Sequence, residues 1–269
     1  MATVTRAILF FAAALAAAML ASPGRAITNG EPDTAHAAVG ALLVDFPGFG
    51  IFPTCTGTLL SPTIFLTSAH CTEDTGGGEI VGVSFDPAPL ATSPPQFVPK
   101  ANQTLFPGFV LGDPFTDLEV IELEEPVTGV TPAQLPPLGS LGDKKEAADG
   151  SFTVVGYGSP ELVPSPGGKV PLSPDIRRFT TTKLDGYVRP KGAKKGDASV
   201  SSLLKFSASG GHGGGVCFGD SGGPTFVDDA NVIAGIAVLV QKNCSGIYEA
   251  LRLDTLPVLS FLSAFVPVP

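Results

Sequence analysis

Charge is scarce in this chain: Asp, Glu, Lys and Arg make up only 15% of its 269 residues, and the balance is acidic, at −9. An acidic surface of that kind argues against nucleic acid or an anionic membrane as partner. Histidine is scarcer still, with only His36, His70 and His212. The four cysteines, Cys55, Cys71, Cys217 and Cys244, include no C-x-x-C pair, and the histidines no H-x-x-H pair, so no metal signature is present and no cofactor is expected. Beyond residue 26 no segment reads as membrane-spanning, and the chain carries no sequence repeat.

Glycine and proline, by contrast, are abundant, at 33 and 26 residues. With 43% hydrophobic residues, this composition suits many short strands and turns around a globular core better than long helices. At the N-terminus Arg6 precedes the apolar run 7–21, shorter than the ~20 residues a membrane span needs. Gly24-Arg25-Ala26 offers a small-x-small cleavage site, so residues 1–26 read as a signal peptide and the remainder as secreted to the extracellular space. Their removal deletes Arg6 and Arg25 and no acid, taking the net charge from −9 to −11.

Apolar or alternating runs bounded by Gly, Pro or Asp predict strands over 39–44, 57–60, 64–67, 80–85 and 118–123. The five prolines of 86–99 predict a surface loop, and 124–150 reads as a crossover between two halves. The second half predicts strands over 152–157, 176–183, 203–208, 224–227, 232–240 and 247–253. Residues 159–174 read as a Pro/Gly-rich loop, 189–195 as a solvated basic loop, 210–215 as a glycine tract, and 256–265 as a short terminal helix. In an exported chain, four cysteines predict two disulfides, with three pairings open.

The stretch Gly219-Asp220-Ser221-Gly222-Gly223-Pro224 puts a serine on a glycine-rich turn. Such a turn can expose Oγ and leave backbone N–H groups for a developing oxyanion. A serine hydroxyl needs a positioned base to be nucleophilic. Thr67-Ser68-Ala69-His70-Cys71 supplies a histidine, and Thr116-Asp117-Leu118-Glu119-Val120 supplies an acid. The G-x-S-x-G elbow of α/β-hydrolases also fits 219–223, but there the histidine follows the serine, and none follows Ser221.

The order His, Asp, Ser with these flanking motifs resembles the chymotrypsin-like (trypsin-fold) serine proteases, from about Ile27 to the C-terminus. The resemblance implies an all-β fold of two six-stranded antiparallel barrels with a short C-terminal helix, in halves 27–135 and 146–269. It implies His70 as general base, Asp117 as its orienting acid and Ser221 as nucleophile, with the N–H groups of Gly219 and Ser221 as oxyanion hole. Asp113 competes for the acid's place, but Asp117 is followed directly by an apolar strand and Glu124-Glu125-Pro126-Val127, which matches the family pattern. The same resemblance implies disulfides Cys55–Cys71 and Cys217–Cys244, and an ion pair between the ammonium of a mature Ile27 and Asp220. Ile27-Thr28-Asn29-Gly30 resembles the family's start, and the signal cleavage site abuts it, so export itself is expected to free the amine.

For specificity the resemblance points to Gly215 at the pocket floor, with Val216 beside it, and walls from Val238, Leu239, Val240 and Gly246. No carboxylate stands at that floor, and Val240 replaces a usual glycine, so a small or medium apolar side chain is expected before the cleaved bond. Val238 also replaces a serine that would face the catalytic acid. His36 is expected to be structural and His212 an exposed loop residue. The expected activity is serine endopeptidase on protein or peptide substrates, by a monomer. An inert binding homologue and an esterase are the alternatives.

Overall fold

Two barrels, each closed by backbone pairing, form the body of the chain. This computed structural model describes residues 27, 30–142, 151–159, 162–165, 168–171, 176–194, 197–208, 215–227, 230–241, 244 and 246–269, and only the backbone of 162–171. His212 and the glycine tract before Gly215 lie outside the described residues.

The first barrel comprises β2 (Val39–Phe46), β3 (Gly50–Ser61), β4 (Ile64–Thr67), β5 (Glu79–Ser84), β6 (Val98–Leu105) and β7 (Glu119–Leu123). They close in the order β2-β3-β4-β7-β6-β5. The interior is filled by the apolar residues of the expected runs, among them Leu42, Leu59, Phe65, Leu66, Val83 and Ile121, all fully buried. Between β4 and β5 the chain makes one short helix, α1 (His70–Glu73).

The second barrel comprises β8 (Phe152–Gly156), β11 (Arg178–Val188), β12 (Leu203–Ala208), β13 (Pro224–Val227), β14 (Ile233–Val240) and β15 (Tyr248–Arg252). It runs β8-β11-β12-β15-β14-β13, and β13 pairs back with β8 to close it. A separate hairpin, β9 (Leu162–Ser165) with β10 (Gly168–Pro171), stands beside it.

Three expectations are corrected. β3 is twelve residues, not four: it continues through Pro53, which stands next to the shift in the β2–β3 register, a bulge position at which a strand tolerates proline. Val98–Leu105 is a strand that the loop reading of 86–99 and the polar sequence after it concealed; its residues are half-buried or exposed, so no apolar face marks it. Within 159–174, read as a loop, lies the β9–β10 hairpin.

The two halves hold each other at their ends. The first described strand, β1 (Glu31–Pro32), pairs with β11 of the second barrel. The terminal helix α2 (Leu256–Leu262), with Pro257 in its first turn, buries Val258, Leu259 and Leu262. Its Phe261 packs edge-on against Phe106 of the first half, at 5.4 Å between centroids.

Between them lies a buried polar knot. Arg177 Nε donates to Asp33 Oδ2 at 2.7 Å, and its Nη1 donates to Val39 O at 3.0 Å and to Tyr157 Oη at 3.1 Å. His36 Nδ1 meets Asp33 Oδ1 at 2.6 Å, and its ring stacks on Phe226. Burial pushes the Asp33 carboxyl up, but His36 and Arg177 outweigh it and hold it below its ordinary value. The same burial pushes the Tyr157 hydroxyl up to about 12.

Candidate active site

His70 begins α1, directly after β4 and Thr67-Ser68-Ala69, so its position is set by the barrel rather than by a free loop. Asp117 ends the loop before β7 and is 6% exposed. It meets His70 twice: Oδ2 faces His70 Nδ1 at 2.6 Å, and Oδ1 accepts the His70 backbone N–H at 2.9 Å. A ring held at Nδ1 by a carboxylate turns Nε2 outward as the acceptor. The Cys55–Cys71 disulfide braces the same turn, and its sulfurs and a His70 ring nitrogen lie within 4.8 Å of one another. Because the two sulfurs are bonded to each other, this cluster offers no thiolate for a metal.

The serine turn is docked on the first barrel beside His70. The Thr56 N–H donates to Ser221 O at 2.9 Å, and Thr56 Oγ1 donates to Gly219 O at 2.9 Å while accepting the Tyr157 N–H at 3.0 Å. Gly222, at φ +78, lies so close that a Cβ would stand 2.2 Å from Thr67 Oγ1 and 2.7 Å from Ser68 N. The Phe218 carbonyl accepts the Ser159 N–H at 2.6 Å. A trans peptide is planar, so this turns the Gly219 N–H to the opposite side. Among the described residues, neither the Gly219 nor the Ser221 backbone N–H has a hydrogen-bond partner.

Asp220 points the other way, into the protein, and is fully buried. Its Oδ1 accepts the Gly158 N–H at 2.7 Å and its Oδ2 the Cys217 N–H at 2.8 Å. Gly156 and Gly158 make room for it: a Cβ on either would stand 2.2 or 2.5 Å from the carboxyl. Among the described residues it has no cationic partner, and burial pushes its carboxyl up to about 7 despite the two N–H bonds. Ile27 is also fully buried, in the cluster that holds Leu141, Phe152 and Val216. The second disulfide, Cys217–Cys244, ties the serine loop to the segment before β15.

Of the expected pocket residues, Gly215 packs backbone to backbone on Gly246, where a Cβ would lie 2.5 Å from the Gly246 Cα. Val216 is enclosed in the second-barrel core, and Val240 packs partly buried against the same cluster. Val238 is buried, Leu239 is 45% exposed, and Phe218 on the serine loop is 41% exposed. Leu239, Val240, Ile247 and Tyr248 line a shallow groove of about 240 Å³. With Val238 in place of a serine, Asp117 takes its hydrogen bonds from His70, and Ser68 Oγ donates to Ala237 O at 2.9 Å.

Two buried residues close to this site escaped the sequence reading. Thr56 is one. Glu119 is the other, an acid fully buried at the start of β7, two residues after Asp117. The signal was present: an acid inside the apolar run 118–123.

A sequence profile described as Trypsin matches residues 27–251. Among solved structures, the chain superposes on HL collagenase with TM-score 0.62 at 19% identity, covering 88% of this chain and 96% of that one. Neuropsin, a serine protease expressed in the limbic system of mouse brain, gives TM-score 0.62 at 20% identity, with 87% and 97% covered. Human heparin binding protein gives 0.61 at 18%, with 89% and 97% covered. At such identities these likenesses show the shared fold. No curated protein matches by sequence.

Proposed function

Because the chain belongs to the trypsin family, we propose that it is a secreted serine endopeptidase that cuts peptide bonds through an acyl-enzyme. The observation that supports this most directly is the doubly bonded His70–Asp117 pair beside the Ser221 turn. In this reading Asp117 fixes the His70 tautomer and stabilises the imidazolium. His70 Nε2 takes the Ser221 proton as Oγ attacks the scissile carbonyl, then returns it to the leaving amine. The Gly219 and Ser221 N–H groups receive the oxyanion, and loss of one such donor typically costs ~100- to 1,000-fold in turnover. Water then hydrolyses the ester by the same proton path in reverse.

The halves 27–135 and 146–269 are the proposed domains. Removal of residues 1–26 is proposed to accompany export, leaving the Ile27 ammonium to pair with Asp220 in the buried site where the Gly158 and Cys217 N–H groups meet its carboxyl. The floor of glycine and valine, with Val240 and exposed Leu239, favours a small or medium apolar residue before the cut. Among the described residues no helix is long and apolar enough to cross a membrane.

The test compares the chain beginning at Ile27 with its Ser221→Ala variant on a broad peptide library, mapping new ends by mass spectrometry. Cuts after apolar residues in the first alone support the reading; cuts after Arg or Lys would refute the pocket assignment. No cuts in either would favour the second reading, an inert binding homologue. A heparin binding protein shares the fold, although the net charge of −9 here disfavours polyanions.

A further inference from the structure

Glu119 is fully buried, yet its Oε1 has no hydrogen-bond partner. Its Oε2 lies within hydrogen-bond distance of Thr72 Oγ1, on the helix that His70 begins. Thr72 Oγ1 also lies 3.1 Å from the Ala69 carbonyl, which belongs to the residue before His70. A hydroxyl has one proton to donate. An ionised Glu119 would draw that proton and still keep its charge buried with Oε1 lacking a donor, while the Ala69 carbonyl keeps the Thr72 and Glu73 backbone N–H groups at 3.2 and 3.1 Å. A carboxylic acid removes the buried charge: Glu119 donates to Thr72 Oγ1, and Thr72 adds its own proton to Ala69 O.

We propose that Glu119 is a positioning residue of the protease, acting as a neutral acid whose proton completes the chain Glu119–Thr72–Ala69 and so fixes the turn that carries His70. The inference rests on the protease reading given above. The surroundings agree. Burial, with Glu73 on α1 and Asp117 just before β7, pushes the Glu119 carboxyl up to about 7, against the opposing pull of Thr72 and of Lys100 on β6. Lys100 Nζ is itself engaged by Gln103 Oε1 at 2.7 Å. β4, which pairs with Glu119 through Thr67, brings no charge. A neutral Glu119 adds no charge beside the Asp117–His70 pair. Ionisation adds a buried charge there and turns the Thr72 hydroxyl from the Ala69 carbonyl to the carboxylate.

The decisive experiment measures kcat/KM against pH for the exported full chain and for Glu119→Gln, Glu119→Leu and Thr72→Val. Glutamine keeps the donor and cannot ionise. Glu119→Gln is expected to match the wild type below about pH 6 and to hold its rate on the alkaline side, where the wild type falls as Glu119 ionises. Glu119→Leu and Thr72→Val are expected to lose about tenfold throughout, as a slightly misplaced base would. Superimposable profiles for wild type and Glu119→Gln, or Glu119→Gln behaving like Glu119→Leu, would overturn the proposal. If the wild type neither cuts peptides nor reacts with a fluorophosphonate, the protease reading fails instead. The state of Glu119 is then read by infrared spectroscopy at about pH 5, above the ordinary carboxylate range. A protonated-carboxyl band that Glu119→Gln removes upholds the neutral acid, and no difference between the two spectra refutes it.

Discussion

The Thr56 amide and the Ser221 carbonyl meet at 2.9 Å, so a strand of the first barrel grips the residue of the second that is proposed to attack. The Thr56 hydroxyl adds two further bonds, to Gly219 O and from the Tyr157 N–H. Thr56→Val keeps the shape and leaves the buried Tyr157 N–H without a partner, at about 1–3 kcal/mol, and the half-buried Gly219 carbonyl without its bond. A lower urea midpoint and roughly tenfold slower turnover are expected, both recovered in Thr56→Ser. Unchanged turnover in the valine variant would show that the hydroxyl does not hold the serine turn.

Gly222 has a sharper constraint. Alanine there adds a Cβ 2.2 Å from Thr67 Oγ1 and 2.4 Å from Thr56 O, on a backbone at φ +78. Neither neighbour can yield without shifting β3 or β4. Gly222→Ala is expected to separate Ser221 from His70 and lower kcat/KM by about 100-fold. Labelling by a fluorophosphonate, which reports Ser221 reactivity directly, checks this.

The unprocessed chain should weaken as pH rises. Burial pushes the Asp220 carboxyl up to about 7 in this form, above its ordinary unfolded value near 4. The folded state therefore holds a proton that the unfolded state has lost. Its stabilising contribution is full below about pH 4 and disappears as pH rises to about 7. Urea midpoints of the unprocessed chain at the two ends of that range measure it, and Asp220→Asn should flatten the difference. Once an Ile27 ammonium pairs with the carboxylate, the dependence should reverse.

Arg177 and Asp33 form a pair with almost no solvent access, 2.7 Å apart. Arg177→Met leaves the Asp33 charge buried with His36 alone and is expected to cost about 3–5 kcal/mol in urea unfolding. Arg177→Met with Asp33→Asn should cost less than the sum of the single changes. Because Asp33 is held below its ordinary value, its contribution is present above about pH 4 and fades as pH falls below that. Additive losses in the double variant would dismiss the coupling.

What the sequence disclosed followed from contrast. Strands such as Leu203–Ala208 and Pro224–Val227 stand between turn-forming residues, and their limits coincide with expectation. The motif around His70 and the turn around Ser221 were legible because glycine and flanking small residues are required where chains pack this closely. Val98–Leu105 was hidden because both of its faces are partly wet, so neither alternation nor an apolar run announces it. Thr56 and Arg177 were hidden for another reason. Their bonds reach partners more than a hundred residues away, and nothing local in a threonine or an arginine reveals such a partner.

The exchange of ends between the halves bears on how this protein can be recombined. β1 serves the second barrel, and α2 lies against the first through Phe261 and Phe106. A chimera cut only at the middle connector would join each barrel to a foreign terminus and strip both of their own closing contacts. The unit of inheritance in such an experiment is a barrel together with the opposite end of the chain. A graft of the second barrel must bring Glu31–Pro32 with it, and a graft of the first must bring Leu256–Leu262.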